Sequence, residues 1–353
     1  MSQVRTTLST QELREQVASL PRFPLAHLPT PLEHLPRFSE ALGGPQVWIK
    51  RDDCTGLAFG GNKTRHNEFL IADALGKGAR MIVWGAGVQS NNCRQTAAAC
   101  ARAGLDCHLV LGRGRPAEGP DPVQGNLLLD HLVGASIEIV DESVGPQVDE
   151  KIAEAAARFR DAGHMVYELD HHTVRPLAAV SYVLCLVEIV EQAESAEFGV
   201  SAVYGCSAGS TGSGLSLARA ALGASFPIWH ITPLVGPHTP EDMAHIANEA
   251  AELIDVDVRL DAEDLHVSQE YVGSAYGAVT EGCLEAIALL ARTEGVLVDP
   301  TYSGKALAGL IDHIRSGRLG GPDENVVFVH TGGTPALFAY NEVLAREIER
   351  RTL

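Results

Sequence analysis

Short apolar runs alternate with longer amphipathic stretches along the chain, and the short runs have the length of buried strands. Val47-Trp48-Ile49 and Met81-Ile82-Val83-Trp84 are the first two of these runs. Further strands are predicted at 108–111, 137–140, 165–167, 200–204, 228–231 and 326–330, and helices at 90–103, 176–193, 240–253, 280–293 and 335–350. Alternation of this kind is typical of parallel βαβ units.

These units lie on both sides of the midpoint of the chain. They predict two α/β domains, each built on an open, twisted, parallel sheet. We expect a larger domain from 1–59 with 175–353 and a smaller one from 60–174, and 353 residues are enough for two cores. Ligands of such folds bind at the carboxyl ends of strands, so the cleft between the domains is the expected site.

The net charge and the cysteine spacing argue against several kinds of partner and site. The formal net charge of −18 argues against nucleic acid or an anionic membrane as a partner. No signal-like segment and no stretch of membrane-spanning length is expected, which predicts a cytoplasmic location. Cys93, Cys100 and Cys107 lie seven residues apart and are predicted to be reduced, buried thiols. No metal site is predicted, and His171-His172 is given no metal role.

Lys63 is one of only five lysines, and the run Phe59-Gly60-Gly61-Asn62 precedes it. It is predicted to open a helix, where partial positive charge favours anions over cations. A lysine beside N–H donors that suit a phosphate is what Schiff-base attachment of pyridoxal phosphate requires. The alternative is a surface lysine in a strand-to-helix turn.

Two glycine-rich turns are candidate anion sites. The segment 205–214 is the stronger phosphate candidate, since small residues leave backbone N–H groups accessible at a helix start. It lacks the patterns of P-loop and dinucleotide sites, and an ordinary βα turn is the alternative. The turn 85–92 suits a carboxylate, with Ser90 or Asn91 as the helix cap. Tyr276 and Tyr302 lie among small residues, where tyrosine serves packing or catalysis.

Several motifs together resemble the pyridoxal-phosphate family of D-cysteine desulfhydrase and 1-aminocyclopropane-1-carboxylate deaminase, which has the tryptophan synthase β-subunit fold. The similarity runs from about Leu28 to Tyr340. The motifs are Pro29-Thr30-Pro31-Leu32, Ile49-Lys50-Arg51-Asp52-Asp53, Gly60-Gly61-Asn62-Lys63, Gln89-Ser90-Asn91, Gly209-Ser210-Thr211, Asp299-Pro300-x-Tyr302-x-Gly304-Lys305 and His330-Thr331-Gly332-Gly333. The resemblance implies fold type II, with the cofactor in the cleft between the domains, and a homodimer.

The resemblance also implies roles for individual residues. Lys63, next to Asn62, forms the Schiff base with pyridoxal phosphate. Asn91 lies beside the phenolic oxygen of the cofactor, and Ser90 lies near the substrate carboxylate. The remaining positions are the phosphate-holding residues Ala208, Gly209, Ser210, Thr211 and Gly212, the active-site tyrosines Tyr276 and Tyr302, and Ser303 and Thr331 around the pyridine nitrogen.

The chain departs from the family at a few positions. His66-Asn67 replaces the usual Lys-Leu, with an expected effect on packing alone. Asn92, followed by Cys93, stands where the desulfhydrases often have histidine and the deaminases glutamine. Asn92 is therefore predicted to contact the substrate and to influence its identity.

The residue at position 303, a serine, distinguishes two candidate reactions: opening of a cyclopropane ring and elimination of a β-substituent. The deaminases have a glutamate at the matching position, which keeps the pyridine nitrogen protonated and the ring a strong electron sink. Opening a cyclopropane requires such a sink, because no α-proton is available. The neutral Ser303 favours α-proton removal with loss of a β-leaving group.

The predicted enzyme is therefore a lyase that converts a small β-substituted amino acid to pyruvate, ammonia and the leaving group. Lys63 serves as general base, and Tyr276 or Tyr302 assists. D-Cysteine is the first candidate substrate and L-cysteate the next. The alternatives are a 1-aminocyclopropane-1-carboxylate deaminase that forms 2-oxobutyrate, and a pyridoxal-phosphate-binding protein without turnover.

Overall fold

The computed structural model describes residues 7–113, 123–142, 145–170 and 173–352. The chain divides into two compact units. Unit 1 comprises Met1–Leu20, His27–Thr55 and Arg175–Gly332, and unit 2 comprises Pro21–Ala26, Gly56–Val174 and Gly333–Leu353. The domain boundaries expected from the sequence, 1–59 with 175–353 and 60–174, stay a prediction. His171-His172 lies outside the described residues.

Helices and strands alternate through most of the described chain. In chain order they are α1 Thr10–Ala18, β1 Leu32–His34, α2 Pro36–Leu42, β2 Gln46–Lys50, α3 Asn62–Gly76, β3 Met81–Gly87, α4 Asn91–Ala103, β4 Asp106–Gly112, α5 Gly125–Leu132, β5 Ser136–Val140, α6 Pro146–Asp161, β6 Val166–Glu168, α7 Arg175–Ser195, β7 Ala202–Cys206, α8 Ser210–Ala221, β8 Ile228–Ile231, α9 Thr239–Leu253, β9 His266–Ser268, α10 Glu281–Glu294, α11 Ser303–Arg315, β10 Asn325–Val329 and α12 Asn341–Thr352.

Unit 1 contains a six-stranded sheet in the order β1-β2-β10-β7-β8-β9. The short edge strand β1 runs antiparallel to β2, and the other pairs are parallel. Strand β10 comes last in the chain but lies between β2 and β7, where Val329 pairs with Gly205. The loops that follow β7 and β10 therefore leave the same edge of the sheet side by side, the position at which α/β sheets bind ligands.

Unit 2 contains a four-stranded parallel sheet in the order β5-β4-β3-β6. Helix α6 covers part of it through a buried cluster that mixes strand and helix residues. The cluster consists of Met81, Val83, Val110, Val148, Ile152, Ala155 and Ala156. Strand β3 ends at Gly87, and Ser90 caps α4 three residues later. This short connection fixes the start of α4 at the carboxyl end of a central strand.

The two-domain parallel α/β class predicted from the sequence is confirmed, and three details differ. Strand β3 continues to Gly87, so the residues predicted as the start of a turn pair with β4 instead. The predicted C-terminal helix begins as a 3-10 segment, Thr334–Tyr340, and only then becomes α12. Strands β1 and β9 were not predicted because Leu32-Glu33-His34 and His266-Val267-Ser268 each contain a single apolar residue and so form no apolar run.

Helix α7 corrects the expectation that no stretch reaches membrane-spanning length. It has 21 residues and is long and apolar enough that length and composition alone meet that criterion. However, 78% of its most apolar stretch is buried inside the protein, where α7 packs against α8 and α1. A buried helix that is apolar all round is a core helix of a large domain.

Candidate active site

In unit 1 the segment after β7 forms a compact loop, residues 207–213, here called the phosphate loop. Its backbone folds around the Ser207 side chain, because the Gly212 and Gly209 N–H groups donate to Ser207 Oγ at 2.7 and 3.3 Å. Helix α8 then begins at Ser210 without a side-chain cap at Gly209. An uncapped helix start on a small-residue loop suits a phosphate dianion.

The phosphate loop requires glycine at position 212, and the imidazole of His230 beneath the loop is uncharged. A Cβ atom on Gly212 would lie 2.6 Å from Met243 Cε and 2.7 Å from His230 Nδ1. His230 is completely buried, and Ser216 Oγ lies 2.8 Å from its Nε2. Burial lowers the pKa of His230 to about 3, so the imidazole is neutral at physiological pH.

The residues predicted around the pyridine nitrogen lie together in unit 1. The Ser303 side chain is buried, donates to the Gly332 carbonyl at 2.9 Å, and lies 3.5 Å from Thr331 Oγ1. The nearby carboxylate of Asp299 accepts the N–H groups of Thr301, Tyr302 and Ser303 at 2.8–2.9 Å. Burial raises the pKa of Asp299 despite these bonds. The Ser303 hydroxyl thus contacts the Gly332 carbonyl and the Thr331 hydroxyl, and it also forms a hydrogen bond with the carboxyl group of Asp299, which serves the start of α11.

Tyr276 and Tyr302 are also brought together. Their hydroxyl groups form a hydrogen bond, and the ring centroids lie 5.9 Å apart at an interplanar angle of 65°. Tyr302 immediately precedes α11, so the same helix start positions Tyr302 and Ser303. Paired phenols at a loop are suited to proton exchange with a ligand and to orienting it.

In unit 2, Lys63 is the second residue of α3 and is half-buried. The other four lysines have their amines committed to structural contacts. Lys50 pairs with Glu188 at 2.8 Å, and Lys305 donates to the Val272 carbonyl at 2.6 Å, each completely buried. At the surface, Lys77 pairs with Asp73 at the end of α3, and Lys151 pairs with Glu154 within α6. Lys63 differs from these four in its position at the start of α3, directly after the glycine pair Gly60-Gly61.

The backbone at Lys63 depends on Gly61, which has φ = 123° and precedes the first residue of α3. A Cβ there would lie 2.7 Å from Gln95 Nε2. The close approach lets Gln95 Oε1 accept the Thr64 N–H at 2.8 Å, while Gln95 Nε2 donates to the Asn91 carbonyl at 3.0 Å. One amide thus joins the segment that carries Lys63 to the segment that carries Asn91.

Ser90 is the N-cap of α4, and its Oγ accepts the Cys93 N–H at 3.2 Å. One of the two alternatives for the cap is thereby settled. Capping uses an oxygen lone pair and leaves the hydroxyl proton for an anion at the helix start. The Ser90 hydroxyl and the α4 terminus together suit a carboxylate group.

Asn91 is oriented by Asn126, a residue of α5 that the sequence did not suggest. Asn126 Nδ2 donates to Asn91 Oδ1 at 2.9 Å and to the Gln89 carbonyl at 2.8 Å, and its side chain is completely buried. Because Asn91 Oδ1 is used as an acceptor, the NH₂ group of Asn91 remains to donate. A donor is what a phenolate oxygen would require.

The positions that depart from the family have different surroundings. His66 is buried, and burial lowers its pKa well below the usual value. Asn67 Nδ2 donates to the Lys63 carbonyl at 2.9 Å and to Thr96 Oγ1 at 3.3 Å, so it links α3 to α4. Asn92 is half-buried in the first turn of α4. Burial raises the pKa of the Cys93 thiol, which stays protonated.

Arg94, Gln95 and Asn126 were missed, although each supports a predicted site residue. The signal in the sequence was the polar pair Arg94-Gln95 within the alanine-rich helix α4. The structure buries both side chains completely. Large polar residues are rarely buried completely unless they bind to something. A helix pattern marks the apolar face but does not reveal partners that come from distant segments.

The chain is similar to several known proteins. The family of pyridoxal-phosphate dependent enzymes matches residues 24–332. A 1-aminocyclopropane-1-carboxylate deaminase of Burkholderia ambifaria strain MC40-6 is 38% identical over 331 residues, covering 92% of this chain and 97% of its own. The corresponding protein of Burkholderia multivorans is 39% identical over 335 residues, covering 92% and 98%.

Two solved structures are also similar. One, described as an ACC deaminase homologue, has a TM-score of 0.86 at 32% identity and covers 95% of this chain and 98% of its own. Diaminopropionate ammonia lyase from Escherichia coli has a TM-score of 0.68 at 13% identity, over 96% and 92%, and supports the fold alone. The chain belongs to the pyridoxal-phosphate dependent enzymes of fold type II. It is a lyase- or deaminase-type enzyme, as predicted.

The residues present fit pyridoxal phosphate. The phosphate loop is a neutral backbone cradle, and it lies so close to Met243 and His230 that no Cβ fits at Gly212. Asn126 leaves the amide donor of Asn91 for an oxygen anion. Lys63 supplies an amine at a helix start.

Proposed function

We propose that this enzyme eliminates the β-substituent of a small amino acid, D-cysteine first and L-cysteate next, to give pyruvate, ammonia and the leaving group. The observation that carries the proposal is Ser303: a buried hydroxyl group, which is neutral, stands at the position assigned to the pyridine nitrogen. Asp299 has both carboxylate oxygens bound to backbone N–H groups. A neutral contact suits a reaction that begins with loss of an acidic α-proton.

Bound pyridoxal phosphate supplies the electron sink that weakens the bond to be broken at Cα. In the proposal, the phosphate loop holds its phosphate through backbone N–H groups and the start of α8. Lys63 holds it covalently at rest. The NH₂ group of Asn91, oriented by Asn126, donates to its phenolic oxygen.

The remaining residues act on the substrate. Ser90 and the first turn of α4, including Asn92, hold the substrate carboxylate. The amine of Lys63, once released, takes the α-proton as general base, and the β-substituent leaves with its bonding electrons. The product 2-aminoacrylate reacts with water to give pyruvate and ammonia. The Tyr276–Tyr302 pair orients the leaving group and supplies its proton.

The second candidate function is opening of 1-aminocyclopropane-1-carboxylate to 2-oxobutyrate and ammonia. The names of the Burkholderia relatives, at 38–39% identity over nearly their whole length, favour it. The neutral Ser303 counts against it, because that substrate offers no α-proton and needs a protonated ring nitrogen. A binding protein without turnover, the third possibility, has no support from these relatives.

The deciding experiment is identification of the keto acid formed from separate solutions of D-cysteine, L-cysteate, D-serine, β-chloro-D-alanine and 1-aminocyclopropane-1-carboxylate. We expect pyruvate from at least one β-substituted alanine and no 2-oxobutyrate from the cyclopropane. Production of 2-oxobutyrate at the higher rate would overturn the assignment in favour of the second candidate.

A homodimer and a cytoplasmic location belong to the same proposal, and both derive from the resemblance and the sequence. Sedimentation equilibrium of the purified holoenzyme checks the first. We expect twice the chain mass of 37.5 kDa, and a single-chain mass at micromolar concentration would contradict it.

A further inference from the structure

The segment immediately before Lys63 has an unusual backbone conformation. Residues 56–61, here called the lysine loop, contain five positive φ angles. Two of them belong to non-glycine residues, Ala58 at 44° and Phe59 at 68°. Such angles are costly for residues with a Cβ and persist only where surrounding groups hold them. The Phe59 side chain is 67% exposed, so its own burial does not hold the loop.

Besides the loop's own hydrogen bond from the Gly60 N–H to the Leu57 carbonyl at 2.9 Å, Arg94 of helix α4 holds it. One guanidinium nitrogen, Nη1, donates to the Ala58 carbonyl, and the other, Nη2, donates to the Gly60 carbonyl at 3.1 Å. The side chain is completely buried. Burial lowers the pKa of Arg94 to about 10, which still leaves the guanidinium protonated at neutral pH. A planar cation with two parallel donors fixes two carbonyls of a turn in a way that a single donor cannot.

The donors of Arg94 are directed to the lysine loop rather than to a counter-ion. Asp130 of α5 interacts with Arg94 electrostatically, yet neither of its buried carboxylate oxygens has a hydrogen-bond partner among the described residues. The next residue, Gln95, accepts the Thr64 N–H at 2.8 Å. Two consecutive side chains of α4 therefore hold the backbone on both sides of Lys63.

We propose that Arg94 is a positioning residue, whose forked hydrogen bonds to the lysine loop place the Lys63 amine for covalent attachment of pyridoxal phosphate. The inference rests on the proposed role of Lys63. Helix α4 also carries Ser90 and Asn91, so Arg94 sets the attachment point relative to the residues assigned to the substrate carboxylate and the phenolic oxygen. Displacement of a reacting group by about 1 Å is enough to slow a reaction about a hundredfold.

The test compares Arg94→Lys and Arg94→Met with Arg158→Met, a matched control on the exposed face of α6 in the same unit. Each apoprotein is mixed with pyridoxal phosphate, and the rate and pH midpoint of the visible band of the lysine-bound cofactor are measured. We expect attachment at least about tenfold slower and a shifted midpoint in both Arg94 variants, since an ammonium group cannot form the fork. The Arg158→Met protein should match the parent.

Thermal unfolding and far-ultraviolet circular dichroism are recorded for each protein, and Arg94→Lys decides the question if Arg94→Met does not fold. Parent-like attachment rate and midpoint in Arg94→Lys would overturn the proposal. Non-covalent affinity for pyridoxal phosphate, measured in a Lys63→Ala background, should change less than about threefold on adding Arg94→Lys, because Arg94 positions the lysine rather than the cofactor. A change there of tenfold or more would contradict the assigned role.

A Lys63→Ala protein separates this inference from the proposed function. If its covalent band persists, the assignment of Lys63 fails whatever the Arg94 variants do. If its band is lost while Arg94→Lys behaves as the parent, the assignment of Lys63 stands and the role of Arg94 is rejected.

Discussion

The phosphate loop of unit 1 and the lysine loop of unit 2 are both short, glycine-rich connections that lead into a helix, but they are stabilised in opposite ways. The phosphate loop is held mainly by itself, through the N–H groups that converge on Ser207 Oγ, and the buried imidazole beneath it is neutral. The lysine loop contains left-handed non-glycine residues and is held from outside by Arg94. The phosphate loop is thus stabilised by neutral groups of its own segment, whereas the lysine loop is stabilised by a charged side chain from another helix.

The largest effect is expected from Lys63→Ala. It removes both the covalent attachment and the general base, so kcat/KM for elimination should fall at least about a thousandfold and the visible band should vanish. Lys77→Ala is the matched control, because Lys77 follows the end of the same helix, where its amine pairs with Asp73 and lies 5.4 Å from the centroid of the Tyr167 ring. Absorbance spectra and pyruvate assays measure both proteins, and an active, yellow Lys63→Ala enzyme would refute the assignment.

Gly212→Ala tests whether the phosphate loop depends on its own packing. The new Cβ would lie within 2.8 Å of Met243 Cε, His230 Nδ1 and Ser207 Oγ. We expect the loop to shift, with affinity for pyridoxal phosphate reduced at least about tenfold and a stability loss of about 1–3 kcal/mol. Gly205→Ala in β7 is the control, since its Cβ would meet Val329 at an ordinary 3.6 Å. Equal affinities in the two variants, measured by cofactor titration, would show that the loop tolerates the added atom.

Asp130→Asn probes the buried carboxyl group behind Arg94. Burial raises the pKa of Asp130 to about 8 from its usual 3.8. Between these values the folded protein keeps a proton that the unfolded chain loses, so this carboxyl destabilises the fold increasingly as pH rises. From pH 5 to pH 7 the parent should lose at most about 2.7 kcal/mol relative to Asp130→Asn. Urea unfolding at both pH values measures the difference, and parallel pH dependences would contradict it.

His230→Gln tests the opposite case in unit 1 and has the smallest expected effect. The pKa of His230 is lowered to about 3 from its usual 6.5, so in that interval the unfolded chain binds a proton that the folded protein excludes. Stability from this group is complete above pH 6.5 and is lost on acidification. Between pH 7 and pH 5.5 the parent should lose about 1.2 kcal/mol more than the variant. The same unfolding assay applies, and an equal loss in both proteins would refute the account.

Much of the fold could be predicted because buried parallel strands produce short apolar runs that local sequence reveals. Strand β2 and helix α4 are examples, and α4 ends at Gly104 in the left-handed conformation that a glycine cap adopts. Strand β3 was predicted to end too early, because Gly85 and Gly87 are typical of turns but here continue the pairing with β4. The 3-10 start of the C-terminal segment has no distinctive local pattern.

The candidate site also contains residues that the sequence could predict and residues that it could not. Lys63, Ser90 and the phosphate loop lie next to strands or helix starts, where the sequence marks them. The supporting residues Arg94 and Asn126 could not be assigned roles, because their partners are 34–37 positions away in sequence. Local periodicity carries no information about such contacts. The roles of all these residues toward the cofactor stay predictions.

The most direct test of the account is borohydride reduction of the holoenzyme, followed by peptide mapping of the phosphopyridoxyl group. We predict that the group lies on Lys63, in the peptide in which this lysine directly follows Gly60-Gly61-Asn62. Recovery of the label on Lys50, Lys77, Lys151 or Lys305 would contradict the assignment of the attachment site and, with it, the role proposed for Arg94.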